Sequence, residues 1–162
     1  MTPNRTIADE PPETDAETTA RQRWMAVLAR ASATEIRLLL EKCPALPAWR
    51  KLRGPETGLV MVRGRAGGGG APFNLGEMTV TRCSIRTDAG SVGHAYVAGR
   101  DHEVATLAAV IDAFLQEPPL AATLRERVIA PLAQAQQDRR ETTSRKAAAT
   151  QVQFFTLANM RA

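Results

Sequence analysis

Cysteine and histidine are nearly absent from this sequence, with two of each in 162 residues. Cys43 and Cys83 lie far apart and in no metal-ligand spacing, so buried thiols in a reducing compartment are expected rather than a disulfide framework. His94 and His102 have no cysteine nearby and no HxxxH spacing, which makes a poor metal site. Large aromatics are scarce as well, four Phe, two Trp and one Tyr, so Ala, Leu and Val must build most of the core. No apolar stretch approaches the roughly 20 residues that span a bilayer. The polar, acidic start is unlike a signal peptide. A cytoplasmic chain with no membrane contact is the expectation. No basic run is interleaved with aromatics, which argues against nucleic acid. Also missing are a Gly-Lys-Ser/Thr after a glycine loop, a GxGxxG entering a helix, and a nucleophile beside a base. No catalytic residue and no metal ligand is assigned.

What is present fits one ordinary domain with a real core. Hydrophobic residues make up 44% of the chain, and the net charge is +4. That charge is unevenly spread: residues 1–20 hold Arg5 against Asp9, Glu10, Glu13, Asp15 and Glu17, a net of −4, so the rest carries +8. A basic body suits an anionic partner, such as a nucleotide, a phosphorylated metabolite or an acidic protein face. Residues 1–17 have almost no apolar content and read as a disordered acidic tail. Residues 18–162 read as a single domain.

Trp24, Val27, Leu28 and Ala31 recur at helical spacing, and Ser32 with Glu35 forms a capping-box signature before Ile36, Leu39 and Leu40. These two helices resemble a helix-turn-helix, but Glu35 and Glu41 stand where base-reading side chains are wanted. Leu59 to Val62 predicts a strand continuing to Arg65, and about Gly76 to Arg86 a second. In the second strand the apolar face changes parity near Thr81 and Arg82, which suggests a β-bulge. Asp88-Ala89-Gly90 predicts a hairpin turn into a third strand, Val92 to Gly99. Asp101 caps a helix whose apolar stripe runs Val104, Leu107, Ala108, Ile111, Leu115. After Pro118 and Pro119, Leu124, Val128 and Leu132 make another stripe, followed by a helix polar all round from Gln134 to Lys146. Phe154 and Phe155 suggest docking, in cis or onto a partner. The expected fold is α+β: a small antiparallel sheet of about three strands packed by N-terminal and C-terminal helices.

The polar residues worth attention gather around the loop between the first two strands. Gly67, Gly68, Gly69 and Gly70 form a segment that needs flanking strands, a ligand or a partner to order it. Arg63 and Arg65, two apart on a strand, would share a face; they could grip a carboxylate or phosphate, or form a solvated edge. Glu77, Thr79 and Thr81 beside Arg82 could orient a substrate, or form a hydrogen-bonded interface or a wet sheet face, and Asn74 is a further candidate for partner or anion contact. His94 and Tyr96 on the third strand read as interface or ligand contacts, and His102 as plain surface.

Three blocks carry a resemblance: Leu52 to Arg65 (LRGPETGLVMVRGR), Gly70 to Cys83 (GAPFNLGEMTVTRC), and Gly93-His94-Ala95-Tyr96-Val97 with Gly99-Arg100-Asp101. With Lys146 to Thr150 and Phe154-Phe155, they resemble the PhnG family of the bacterial carbon–phosphorus lyase system. The likeness covers about Arg21 to Leu157, and Gly69 departs from the Thr or Ser expected there. The resemblance implies a soluble hetero-oligomeric core complex with PhnH, PhnI and PhnJ, joined by PhnK. It further implies a role, with PhnH, PhnI and PhnL, in making alpha-D-ribose 1-methylphosphonate 5-triphosphate from ATP and a phosphonate. The nucleosidase chemistry then falls to PhnI, and the iron–sulfur cluster with S-adenosylmethionine to PhnJ, so no cofactor is expected on this chain. Two roles remain open: an accessory subunit that stabilises PhnI, its direct partner, or a binder of the triphosphate or phosphonate through Arg63, Arg65 and Arg82.

Overall fold

Asp101 and Ser32 mark helix starts as their side chains require. The computed structural model describes residues 15–65 and 70–150. The first fourteen residues of the acidic stretch, Gly67 to Gly69, and Phe154 with Phe155 lie outside those bounds. Ser32 accepts from the Glu35 amide while the Glu35 carboxylate accepts from the Ser32 amide at 2.9 Å, a closed capping box at the start of α2 (Ala33–Leu40). Asp101 accepts from Val104 N at 2.9 Å and opens α3 (His102–Phe114). The helix before α2 is α1 (Asp15–Leu28), whose first turn takes in the last residues of the stretch 1–17.

Three strands form an antiparallel meander in the order β1-β2-β3, with β1 Trp49–Gly64, β2 Phe73–Thr87 and β3 Val92–Ala98. The turn between β2 and β3 ends at Gly90, whose φ of 101° is available to glycine at little cost. Helix α3 lies across the sheet, and Gly93 lets it approach β3 closely: a Cβ there would meet the Ala109 carbonyl oxygen and the Ala113 amide nitrogen. The core fills the space between this helix, the inner sheet face and α1, with Phe114, Ile111, Ile85, Leu28 and Ile36 fully enclosed.

After α3, Pro118 starts α4 (Pro118–Leu124), a π-helical turn spans Arg125–Ile129, and α5 runs over Ala130–Ala149. Pro131 has no N–H to give the carbonyl of Arg127, and the wider turn accommodates that loss without ending the helix. Leu124, Val128 and Leu132 are buried as their spacing requires. Beyond Gln136, which donates to Val27 O at 2.8 Å, α5 is solvated on all sides.

Two expectations change. Strand β1 begins ten residues earlier than Leu59, at Trp49. Gly54 and Pro55 sit inside it because β1 is an edge strand, where a residue without an N–H can face outward. No bulge forms in β2 at Thr81 and Arg82: β2 and β3 pair in unbroken register from Val80↔Ala98 to Arg86↔Val92. The irregularities fall between β1 and β2, at Lys51/Arg53, Arg53/Glu56 and Val62/Arg63. Thr81, Cys83, Ile85 and Thr87 alternate regularly into the core. What ends near Thr81 is the cover supplied by α3, not the regularity of the backbone.

Candidate functional site

Strand β3 reaches only as far as Val80 of β2. Past that point β1 and β2 continue alone, from Leu59↔Thr79 to Gly64↔Phe73, as a two-stranded ribbon. At strand rise it projects roughly 17 Å beyond the three-stranded sheet. Leu59 and Met61 stand on one face, 64% and 60% exposed, while Val62 and Met78 stand on the other; Phe73 and Leu75 are exposed near its tip. A half-buried sheet keeps apolar side chains on one face. This ribbon carries them on both, and two strands alone are only marginally stable in water.

The expected site residues separate into two groups. Arg63 pairs with Asn74 at the ribbon tip, with Arg65 just past the strand end and Gly70, at φ 104°, opening β2's approach. Glu77 and Thr79 lie along the ribbon opposite Met61 and Leu59. Arg82, His94 and Tyr96 belong instead to the outer face of the three-stranded sheet. There Arg82 is the partner of Glu56 and Tyr96, and its Nη2 is 3.4 Å from the Glu56 carboxylate. Eight residues of strand, roughly 26 Å, separate Arg82 from Asn74. The structure does not bring Arg63, Arg65 and Arg82 to one anion.

Two hydroxyl–imidazole pairs escaped the reading of the sequence. Ser84 Oγ lies 2.9 Å from His94 Nδ1, its direct cross-strand partner. Counting back from the Gly90 turn would have found it. Among the described residues no carboxylate orients the other ring nitrogen, and a flat strand offers no oxyanion donors. In the second pair, His102 Nε2 is 3.0 Å from Thr57 Oγ1, which is 3.1 Å from Thr81 Oγ1. Thr81 donates to the Gly99 carbonyl at 2.8 Å, so Thr57 must donate to Thr81 and accept from His102. The proton order runs away from the imidazole, so His102 does not act as a base on Thr57. The chain of bonds ties the edge strand to the start of α3.

Among the described residues, ionisation is shifted at two places. Burial pushes the Cys83 thiol up, which keeps it protonated and unreactive. The Ser32 amide and hydroxyl hold the Glu35 carboxyl below its ordinary value, with Arg139 contributing at 2.7 Å. Neither group belongs to the ribbon. Among the described residues no cluster of three or more His, Cys, Asp or Glu side chains could hold a metal ion, and no helix is long and apolar enough to cross a membrane.

The family model described as "Phosphonate metabolism protein PhnG" matches residues 19–160. A curated relative from Rhizobium meliloti (strain 1021), the alpha-D-ribose 1-methylphosphonate 5-triphosphate synthase subunit PhnG, is 45% identical over 146 residues, covering 88% of this chain and 91% of the relative.

Proposed function

The chain belongs to the PhnG family of phosphonate metabolism proteins, and from that premise we propose that it is an accessory subunit of a cytoplasmic synthase complex. The product is alpha-D-ribose 1-methylphosphonate 5-triphosphate, formed from ATP and a phosphonate. PhnI is its direct neighbour, with PhnH, PhnJ, PhnK and PhnL acting in the same assembly. ATP chemistry falls to PhnI, and the iron–sulfur cluster with S-adenosylmethionine to PhnJ.

The observation that carries this reading is the ribbon, apolar on both faces and anchored at one end only. A partner that encloses it gains the free energy of burying Leu59, Met61, Phe73 and Leu75, on the order of 1.5–3 kcal/mol for each full side chain. A two-faced projecting ribbon offers no concave pocket of the kind that encloses a small substrate. The relative's designation as a synthase subunit supports the same role. The test is co-expression with PhnH, PhnI and PhnJ, followed by size-exclusion chromatography and mass determination. Stable co-elution is expected; elution of this chain alone as a folded monomer would overturn the reading.

A further inference from the structure

The outer face of the sheet, turned away from α3, holds a like-charge contact that the described residues leave unanswered. Arg50 of β1 and Arg86 of β2 are direct cross-strand partners. Their side chains leave the same face side by side, an arrangement that is unfavourable unless an anion lies between them. Among the described residues neither makes an ion pair. Farther along the strip Arg53 and Arg82 share one carboxylate, that of Glu56, at 3.7 and 3.4 Å. From Arg86 to Arg82 the strip is roughly 13 Å long, the length of a few residues of extended peptide.

We propose that this strip is a receptor for an acidic peptide and that its occupant is the chain's own segment 1–14. The segment carries Asp9, Glu10 and Glu13 against a single Arg5. It joins α1 at Asp15, roughly 9 Å of helix before Arg21. Arg21 Nη2 donates to the Val92 carbonyl at 3.2 Å, and Val92 is the cross-strand partner of Arg86, one strand spacing or roughly 5 Å away. Asp9, six residues before Asp15, reaches up to roughly 20 Å from the helix start when extended, a span comparable to that path. Tethering holds the carboxylates near the strip at an effective concentration of order millimolar, so ion pairs that are weak singly suffice.

The competing destination is the open cleft of about 650 Å³ beside the first turn of α1. Its cations are engaged, Arg21 with Asp112 and Arg125 over the Trp24 ring at 5.5 Å, and Glu17 lines it as well. Acidic side chains therefore favour the strip. The inference goes beyond the subunit role and stands or falls without it, because its test needs only this chain.

The chain's lysines are Lys42, Lys51 and Lys146. Lys51 pairs with the core-facing Ile85 and so projects from the opposite face. Arg50→Lys and Arg86→Lys would put a reactive amine on the strip while keeping its charge. Each full-length variant is treated with a zero-length carbodiimide at low protein concentration, and linked peptides are identified by mass spectrometry. The expected result is an amide bond from Asp9, Glu10 or Glu13 to position 50 or 86 in the monomer, falling at least about fivefold in 1 M NaCl, where the Debye length is about 3 Å. Links confined to Lys42, Lys51 or Lys146, links found only in dimers, or none, would overturn the proposal. Should either variant fold poorly, the unaltered chain is compared with D9N/E10Q/E13Q by phenylglyoxal modification. Faster modification of Arg50 and Arg86 after neutralisation supports the proposal, and equal rates refute it.

Discussion

Arg21 and Asp112, 91 residues apart in the chain, meet through two hydrogen bonds, Nε to Oδ1 at 3.2 Å and Nη2 to Oδ2 at 2.9 Å. Asp112 is fully buried and accepts twice more, from Trp24 Nε1 and from the backbone amide of His94, both at 2.8 Å. The His94 amide and the Val92 carbonyl project from the free edge of β3, where Asp112 answers the first and Arg21 and Gln116 answer the second. One carboxylate thus locks α1, α3 and the sheet edge together.

Removing that carboxylate takes the fully buried charged partner from the Arg21 guanidinium and leaves the Trp24 and His94 donors without their acceptor. Asp112→Ala should lower stability by about 3–5 kcal/mol, read as a fall in the urea midpoint with an unchanged slope. A loss below about 1 kcal/mol would mean that water replaces the carboxylate.

Gly93→Ala places a methyl group against backbone atoms of Ala109 and Ala113 that no rotamer change can move. A loss of at least about 2 kcal/mol is expected. Gly58→Ala, with open space around its would-be Cβ, is the control that should cost far less.

On the ribbon the two readouts should separate. Leu59→Ser with Met61→Ser removes apolar surface that already faces solvent, so the unfolding free energy of the chain alone should move by about 0.5 kcal/mol or less. Co-elution with PhnI should weaken at least tenfold. Unchanged co-elution would put the contact elsewhere.

The Glu35 capping box gives a pH dependence of known sign. Its carboxyl is lowered in the folded chain, chiefly by the Ser32 amide, so its contribution is complete above the ordinary carboxylate range and is lost as pH falls through the lowered folded value. Glu35→Gln should therefore flatten the acid limb of the stability curve and leave its upper end parallel to the parent's.

Thiol chemistry should divide the two cysteines. Cys43 is partly exposed, whereas Cys83 is buried and its thiol is held protonated. An aromatic disulfide reagent should titrate one thiol in the native chain and the second only on unfolding. Rapid reaction of both would contradict the packing around Cys83.

Much of the fold was legible because local chemistry and packing agree. Ser32 with Glu35, Asp101, and the stripe from Val104 to Leu115 each satisfy a local rule that the tertiary structure then uses. The meander followed from Asp88-Ala89-Gly90 and the alternation after it. The first ten residues of β1 were illegible because Arg50, Lys51, Arg53, Gly54 and Pro55 have no strand preference of their own; pairing with β2 imposes the conformation. Periodicity at Thr81 was misread for a related reason: a side-chain pattern records what covers a strand, and the edge of α3 mimics a bulge. Among the candidate site residues, the sequence drew attention to Arg63, Glu77 and Arg82 as charges. Exposure of Leu59 and Met61 was invisible, since an apolar run reads as core until the third strand is seen to stop short.

Pro55 and the register shifts around it interrupt the outer edge of β1 between Lys51 and Glu56. A second copy could not add its own β1 there in continuous register, so this stretch of the edge is a poor template for stacking strands. Only the short run from Thr57 to Val62 keeps an unbroken ladder on its open side. The liability of the edge is thus confined to those six residues of the ribbon, where covering the strand would also remove the template.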